Sequence, residues 1–324
     1  MAILVTGVAG FVGSHVAAAL LARGERVVGL DNVNSYYDVS LKEARLARLK
    51  PQPGFTFLRL DLADRDAVFA GLAPEMEEIT EVIHLAAQAG VRYSMIDPYA
   101  YVASNVMGHV VMLEAARRMP KLRHLVYASS SSVYGGNTRL PFRETDPVEL
   151  PVSLYAATKR ADELIGQAYS HIYGLPQTGL RFFTVYGPWG RPDMAYYSFA
   201  KAIAAGEPIT LYEGGELKRD FTYIDDIVQG VIGCMAHPPG PGERARLLNI
   251  GNNRAERVLT LVRLLEEGLG RRAIIQDAPR PVADVEETFA DISAIQKLAG
   301  FAPTTALSEG IPKFVAWFRD WHGV

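Results

Sequence analysis

Short apolar runs alternate with helix-compatible segments through the first half of the chain, and this alternation limits the fold more than any other feature. The apolar runs, which are typical of buried β-strands, cover residues 3–5, 26–30, 55–60, 81–85 and 124–128. Segments with helical periodicity lie between them, at residues 11–23, 41–49, 64–72 and 99–118. Continuous apolar strands separated by helices indicate a parallel sheet that helices cover on both faces. The sequence therefore predicts an α/β fold with a doubly wound parallel sheet.

The alternation becomes irregular after about residue 180, and this change predicts two domains. Residues 1–180 are expected to form the sheet domain, and residues 221–250 are expected to return to it. The Gly-Pro-Trp-Gly-Arg-Pro sequence at 187–192 interrupts the pattern. Residues 181–220 and 251–324 are therefore expected to form a smaller C-terminal α/β domain.

Composition and charge exclude several classes of protein. Hydrophobic residues make up 49% of the 324 residues and charged residues 21%, which excludes a disordered chain. The net charge is −3 and no basic block occurs, so nucleic acid or an anionic membrane is not expected as a partner. The single cysteine, Cys234, cannot form an intramolecular disulfide and fits a reducing compartment. Since neither a signal peptide nor an apolar stretch of about 18 residues is present, we expect a cytoplasmic protein.

Three glycines, Gly7, Gly10 and Gly13, follow the first predicted strand and open the first predicted helix. Glycines let the backbone approach a pyrophosphate closely, and a helix N-terminus supplies N–H groups and a partial positive charge. The spacing is GxxGxxG and not the GxGxxG of the commonest dinucleotide fingerprint, so the general rule fits only in part. A merely tight strand-to-helix turn is the alternative. In this context the motif favours a Rossmann-type nucleotide site.

Asp31 ends the second predicted strand, where a carboxylate can accept both ribose hydroxyls and would repel a 2′-phosphate. No arginine follows it in Asn32–Asn34, so NAD is favoured over NADP. Asp61-Leu62 follows the third strand and is a candidate for adenine contact, although a plain turn aspartate is the alternative. Small residues after the fourth strand, Ala86-Ala87, would let the backbone pass close to the cofactor. The predicted cofactor-binding residues are Gly7, Gly10, Phe11, Val12, Gly13, Asp31, Asn32, Asp61, Leu62, Leu85, Ala86, Ala87, Asn105, Tyr155 and Lys159.

Two Tyr-x-x-x-Lys matches occur, and only their position distinguishes them, because the spacing alone is weak evidence. Tyr155 and Lys159 would share one helix face, so the lysine can stabilise the tyrosine phenolate while it reaches the cofactor ribose. They follow a serine-rich strand end at residues 128–135, where a hydroxyl can share the transferred proton. Tyr197 and Lys201 lie outside the nucleotide-binding half, and Tyr197 is interpreted as a packing or surface residue.

These motifs resemble the extended short-chain dehydrogenase/reductase family, the nucleotide-sugar epimerases and dehydratases, over nearly the whole chain. They are Gly7-x-x-Gly10-x-x-Gly13, Ser-Ser-Ser-Val-Tyr-Gly at 130–135, Tyr155-x-x-x-Lys159 and Arg-Phe-Phe-Thr-Val-Tyr-Gly-Pro at 181–188. The resemblance implies that Ser130, Tyr155 and Lys159 carry the chemistry, with Ser131 and Ser132 lining the site. It also implies that the first domain binds NAD and the second a nucleotide sugar. A homodimer through helices near 99–118 and 154–173 is expected on the same grounds.

Within the family, residues 184–194 most resemble the UDP-glucuronate 4-epimerases. The resemblance implies NAD-dependent conversion of UDP-glucuronate to UDP-galacturonate through a 4-keto intermediate. Two departures disfavour sister activities. UDP-glucuronate decarboxylases carry an acidic residue in place of Ser132, and both they and the UDP-galactose 4-epimerases carry Asn in place of Thr184. UDP-glucose/UDP-galactose 4-epimerase and decarboxylase remain the alternatives within the fold. A catalytically silent NAD-binding subunit is the alternative from another class.

A nucleotide sugar needs cations for its diphosphate, and guanidinium groups suit bidentate phosphate contacts. Arg219 occupies the position that the family uses for this contact, and Arg280 is a second candidate. For each, a surface arginine is the alternative interpretation. Leu211 and Tyr212, in the apolar run 209–212, would lie beside the uracil.

A uronate also needs a site for its carboxylate. Thr184 and Arg191 are the candidates, and Arg92 is a weaker one. The seven histidines show no paired spacing of the kind that metal sites use, so no metal is predicted.

Overall fold

The computed structural model describes residues 1–240, 242–280 and 285–324. Its strands are β1 (Ala2–Thr6), β2 (Val27–Asp31), β3 (Phe55–Arg59), β4 (Ile79–His84), β5 (His124–Ser130), β6 (Gln177–Phe182), β7 (Thr184–Tyr186), β8 (Pro208–Tyr212), β9 (Lys218–Tyr223), β10 (Ala245–Ile250), β11 (Ala255–Arg257) and β12 (Ile274–Ala278). Its α-helices are α1 (Phe11–Ala22), α2 (Val39–Leu49), α3 (Arg65–Leu72), α4 (Pro98–Tyr101), α5 (Gly108–Ala116), α6 (Leu154–Tyr173), α7 (Ala195–Ala205), α8 (Ile224–Met235), α9 (Val258–Leu269), α10 (Ser293–Ala299) and α11 (Leu307–His322).

Seven strands form one sheet in the order β10-β6-β5-β4-β1-β2-β3, and every neighbouring pair in it is parallel. Alternate residues of β1 point to opposite faces, as in any strand. Ile3 and Val5 therefore join one hydrophobic cluster, while Ala2 and Leu4 join the other. Helices cover both faces. The doubly wound parallel sheet predicted from the sequence is confirmed.

One strand of this sheet, β6, was not among the predicted strands. Its sequence, Gln-Thr-Gly-Leu-Arg-Phe, is too polar to be recognised as a buried strand. The structure explains the polarity, because the Arg181 guanidinium donates to both carboxylate oxygens of Glu163 at 2.8 and 2.9 Å. The Arg181 charge can be buried because the Glu163 carboxylate pairs with it.

The smaller part of the molecule contains a three-stranded sheet, β11-β9-β7, and a pair, β12-β8. Of the stretch expected to return to the large sheet, β10 joins it beside β6, and α8 packs against α1. The first residues of that stretch, Phe221–Tyr223, instead end β9 in the three-stranded sheet. The division into two domains itself stays a prediction.

The helix predicted at 99–118 is three consecutive pieces in the structure. A π-helical turn, Val102–Met107, separates α4 from α5. Such turns are frequent at functional sites because they re-aim side chains. Here the turn carries Asn105, which faces the loop after β4. Among the described residues no helix is long and apolar enough to cross a membrane.

Candidate active site

A cavity of about 1040 Å³ lies at the carboxyl ends of the parallel strands. Segments that follow β1 to β6 form one wall, and residues of α7, β8 and β9 form the other. The volume is at the upper end of the range of about 300–1,000 Å³ that is typical of small-molecule sites. Ligands of open α/β sheets bind at this position, where the strand order reverses.

The glycine-rich loop brings its backbone unusually close to its neighbours. A Cβ at Gly13 would lie 2.1 Å from the Gly7 carbonyl oxygen, and one at Gly7 would lie 2.8 Å from the Ala86 nitrogen. Gly10 precedes α1, and within the described chain no side chain caps this helix and no acidic residue lies in its first turn. A helix N-terminus with N–H groups exposed to a cavity suits a pyrophosphate. The GxxGxxG loop therefore fits the cofactor that the sequence predicts.

The Asp31 carboxylate lies at the end of β2 and lines the cavity. Its Oδ2 accepts the Ala9 N–H at 3.0 Å, and its Oδ1 accepts the Val33 N–H at 2.7 Å. The side chain is 8% exposed, and burial raises its pKa even though both hydrogen bonds favour the ionised form. The carboxylate is thereby fixed in orientation beside the position expected for the adenosine ribose.

The serine-rich strand end and the first Tyr-x-x-x-Lys pair meet at the centre of the cavity, which Ser130, Tyr155 and Lys159 all line. The Ser132 hydroxyl donates to the Ser130 Oγ at 2.8 Å. The Lys159 ammonium is 3% exposed and donates to the Ala128 carbonyl at 3.0 Å. These contacts hold Ser130 and Lys159 in fixed positions.

Lys159 has a buried counter-ion one helical turn further along α6. Its ammonium donates to the Asp162 Oδ2 at 3.1 Å, while the Asp162 Oδ1 has no hydrogen-bond partner in the described structure. Burial raises the pKa of Asp162 to about 6, although Lys159 opposes this shift. No sequence motif points to Asp162.

The second Tyr-x-x-x-Lys pair lies elsewhere. Tyr197 is 3% exposed, its hydroxyl lies 2.9 Å from the His322 Nε2, and its ring packs against Phe314 and Phe318. It is absent from the described residues that line the cavity. The structure therefore places Tyr197 in the packing of α7 against α11.

Two of the predicted carboxylate-binding residues come from the part of the chain after β6: Thr184 begins β7, and Arg191 lies in the loop that follows β7. Thr184 and Arg191 both line the cavity. Arg191 donates to Asp193 through Nε at 3.1 Å and through Nη2 at 2.5 Å, and Asp193 also accepts the Tyr36 hydroxyl at 3.2 Å. Burial opposes both charges, but their attraction raises the pKa of Arg191 and lowers that of Asp193. The Arg191 side chain remains 23% exposed.

The remaining substrate candidates divide into two groups. Leu211, Tyr212, Arg219 and Arg92 line the cavity. The Arg92 guanidinium carbon lies 5.5 Å from the centre of the Tyr212 ring, and its Nη2 donates to the Tyr212 hydroxyl at 3.3 Å. Arg280 is not among the described lining residues, and its Nε lies 3.5 Å from Glu213.

All of the predicted cofactor-binding residues except Asn105 line the cavity. Asn105 is 1% exposed and lies behind the wall. Its Oδ1 accepts the Gln88 N–H at 2.8 Å, and its Nδ2 donates to the Gln88 carbonyl at 3.1 Å. Asn105 therefore orders the loop after β4 and does not itself reach the cavity.

The polar cavity residues that the sequence did not identify include Asn34, Tyr36, Lys42 and Asp193. Lys42 is 6% exposed and donates to the Asn34 carbonyl at 2.8 Å. The dense run of polar and aromatic residues between β2 and α2 was the available signal, since a plain connection has no need of it. No group of three or more His, Cys, Asp or Glu residues suited to a metal occurs among the residues described.

The fold and the cavity define a dinucleotide-dependent enzyme of the short-chain dehydrogenase/reductase type. The chain belongs to the NAD dependent epimerase/dehydratase family, whose model matches residues 3–251.

Relatives within the family are similar over the full length of this chain. UDP-glucuronate 4-epimerase 3 of Arabidopsis thaliana is 48% identical over 99% of this chain and 77% of its own length. The probable UDP-glucuronate 4-epimerase of Rhizobium meliloti (strain 1021) is 44% identical over 98% of this chain and 97% of its own. The crystal structure of the Bacillus cereus UDP-glucuronic acid 4-epimerase, in complex with UDP-glucuronic acid and NAD, superposes with a TM-score of 0.89. It is 33% identical over 99% of this chain and 100% of its own.

Proposed function

We propose that this chain is a UDP-glucuronate 4-epimerase that interconverts UDP-glucuronate and UDP-galacturonate with NAD. The observation that carries the proposal is the composition of one cavity. The glycine-rich loop, Asp31, the Tyr155–Lys159 pair and Arg191 all line this cavity. A nucleotide site, a proton-transfer group and a cation for a carboxylate are what this reaction needs. The relatives named UDP-glucuronate 4-epimerase support the same conclusion.

The cofactor would be held by the glycine-rich loop, Asp31 and Lys159. The loop N–H groups would contact the pyrophosphate, and the Asp31 carboxylate would accept the ribose hydroxyls. When bound there, NAD supplies an acceptor for the hydride of the sugar C4 and later returns that hydride to the opposite face. Because the cofactor is regenerated in each cycle, we expect it to stay bound.

Tyr155 would remove the proton from the sugar O4 and return it at the end of the cycle. The adjacent Lys159 ammonium would stabilise the phenolate, and its contacts with Ala128 and Asp162 hold it in place. Ser130 would share the proton through its hydroxyl, whose orientation Ser132 helps to set. The 4-keto sugar formed in between would have to turn over in the cavity before the hydride returns.

The carboxylate requires particular control, because the 4-keto intermediate is a β-keto acid. If the C5–C6 bond stands perpendicular to the carbonyl plane, it breaks readily. Carbon dioxide then leaves, and the bonding electron pair forms an enolate that is protonated at C5. Thr184 and Arg191 would bind the carboxylate and disfavour that angle. Asp193 fixes the orientation of this guanidinium at the cavity wall.

We also propose that the protein forms a homodimer through the face that contains the π-helical turn and α6. Large apolar side chains of α6, the π-helical turn and the adjoining α4 are exposed: Tyr99, Val102, Met107, Leu164, Ile172 and Tyr173. Burial of such a patch is favourable by about 25 cal/mol per Å² of apolar surface. Residues 1–180 with 224–250 would form the cofactor domain, and the rest the sugar domain. Measurement of the mass in solution tests the dimer.

Incubation with UDP-glucuronate alone, followed by separation of the nucleotide sugars, tests the activity. We expect UDP-galacturonate to appear without added NAD. UDP-pentose as the main product would identify a decarboxylase, and interconversion of UDP-glucose and UDP-galactose alone would identify an epimerase for neutral hexoses. Bound NAD with no turnover of any of these sugars would indicate a silent cofactor-binding subunit.

A further inference from the structure

We propose that Arg45 is a positioning residue that fixes the Arg191 loop to the cofactor loop and thereby sets the discrimination for acidic sugars. Arg45 lies in α2, outside the cavity wall, and is 0% exposed. The proposal rests on the proposed function, because a uronate substrate provides the carboxylate that Arg191 would bind.

The surroundings of Arg45 are unusual for a buried cation. Its guanidinium donates to the Trp189 carbonyl at 2.6 and 3.0 Å and to the Gly190 carbonyl at 2.9 Å. It also donates to the Ala9 carbonyl at 3.1 Å and to the Tyr37 hydroxyl at 2.6 Å. All of these partners are neutral oxygens. A buried guanidinium whose hydrogen-bond acceptors are mainly backbone carbonyls is suited to hold those carbonyls together.

The loop that Arg45 holds is strained. Trp189 has a φ of +61°, a left-handed conformation that non-glycine residues seldom adopt and that costs of the order of 1–3 kcal/mol. At position 190 only glycine fits, because a Cβ there would lie 1.8 Å from the Tyr196 hydroxyl. The two carbonyls bound by Arg45 come immediately before Arg191 in the chain. Release of them would let the loop relax and move the Arg191 guanidinium.

The other contact of Arg45 is with the cofactor loop. The Ala9 N–H is held by Asp31 at 3.0 Å, and the Ala9 carbonyl is held by Arg45. Ala9 of the glycine-rich loop is thus connected through its N–H to the Asp31 carboxylate, which is expected to bind the ribose. Through its carbonyl and Arg45 it is connected to the loop of Arg191. This chain of contacts fixes the separation between the cofactor and the group that would bind the sugar carboxylate.

The test measures binding without turnover, in a Tyr155→Phe background. Arg45→Lys keeps the charge but replaces a planar fork of donors with a single ammonium, which cannot reach all four oxygens. Arg45→Met removes the charge as well. We expect the Arg45→Lys protein to bind UDP-glucuronate about tenfold more weakly while its affinity for UDP-glucose changes less than about twofold. Calorimetry gives both affinities, and the NAD content of the purified protein, which we expect to fall, gives a second readout.

Arg48→Lys is the matched control, because Arg48 lies on the same helix with its guanidinium 4.7 Å from the Trp189 ring centre. It contacts the ring and not the carbonyls, so we expect both sugars and NAD to bind as before. Equal losses for the two sugars in the Arg45→Lys protein, or the same losses in Arg48→Lys, would overturn the proposal. If Arg45→Met does not fold, Arg45→Lys alone decides. Failure of the proposed function is seen separately, as absence of UDP-galacturonate from the unmutated enzyme.

Discussion

At the scale of the residue, the surroundings of Tyr155 and Tyr197 assign different roles to two identical sequence patterns. Tyr155 lines the cavity, whereas Tyr197 is buried against α11. We expect Tyr155→Phe to abolish turnover of UDP-glucuronate, because the variant loses only the oxygen that carries the proton. Binding of NAD and of the sugar should change little. Product formation and calorimetric affinity, measured on the same preparation, check both statements.

Tyr197→Phe is the control for that prediction. It removes the contact between the tyrosine hydroxyl and His322, and a hydrogen bond of this kind contributes about 1 kcal/mol to stability. We expect a slightly lower unfolding midpoint and unchanged turnover. Loss of activity in Tyr197→Phe with retention in Tyr155→Phe would reverse the assignment of the two pairs.

Asp31 carries a second prediction at this scale, which concerns the choice of cofactor. Asp31→Ala should weaken NAD binding and reduce the bias against NADP, because the carboxylate both accepts the ribose hydroxyls and repels a 2′-phosphate. Lys42 lies close enough to Asp31 to influence its pKa, so a cation is available for that phosphate once the carboxylate is removed. The ratio of the two dissociation constants, measured on protein stripped of cofactor, is the readout. An unchanged ratio would place the selecting group elsewhere.

At the scale of the element, Gly13 shows why the first helix must begin with this glycine pattern. In Gly13→Ala the new methyl group would lie 2.1 Å from the Gly7 carbonyl oxygen, so the loop or the start of α1 has to move. We expect the purified variant to contain far less NAD than the unmutated protein, which absorbance and chromatography of the released nucleotide measure. Gly136→Ala is the matched control, since a Cβ there meets nothing within 4 Å. Equal NAD contents in the two variants would contradict a pyrophosphate site at this loop.

The elements that the sequence predicts well are those whose signal is local. Continuous apolar runs identify β1 to β5, and three glycines between a strand and a helix identify the cofactor loop. β6 is not recognisable as a buried strand from its sequence, because it contains the charged residue Arg181. In the folded chain this charge is neutralised by Glu163 of α6. The π-helical turn likewise cannot be recognised from the spacing of apolar residues, because one widened turn hardly changes that spacing.

The parts of the site that could not be predicted depend on contacts between distant segments. Arg45 and Trp189 are 144 positions apart, and only the folded chain shows that they touch. Tyr36 reaches Asp193 across 157 positions in the same way. From sequence alone, Arg45 is one more arginine on an amphipathic helix. Motif spacing therefore identifies the reacting groups, but it does not identify the residues that orient them.

At the scale of the whole molecule, the substrate wall and the cofactor wall are held together by packing as well as by hydrogen bonds. The Trp189 ring packs against Trp317 and Trp321 of α11, with ring centres 5.4 Å apart in both pairs. The last helix of the chain thus supports the loop that carries Arg191.

Several histidines are buried in the neutral form, and the stability that they contribute to the whole molecule should fall as the pH falls below about 6.5. His84, His109 and His124 are 4%, 1% and 0% exposed. Burial lowers the pKa of His109 to about 3 and that of His124 to about 4, and it lowers that of His84 as well. A histidine whose pKa is lower in the folded state than in the unfolded state stabilises the protein at pH values above the unfolded-state pKa. This contribution is lost as the pH falls from the unfolded-state pKa towards the folded-state pKa.

His109 allows this effect to be measured for one residue. Between pH 7.5 and 5.5 a histidine that stays neutral when folded should lose about 1.4 kcal/mol of stability, since the unfolded form gains a proton. His109→Phe keeps an aromatic ring between His84 and Tyr127 and removes the titration. The free energy of unfolding, measured with urea, should therefore decrease less between pH 7.5 and 5.5 in His109→Phe than in the unmutated protein. The expected difference is about 1.4 kcal/mol. Asp162, whose pKa is raised to about 6, acts with the opposite sign and is present in both proteins. An identical loss in both proteins would show that His109 does not take up its proton on unfolding.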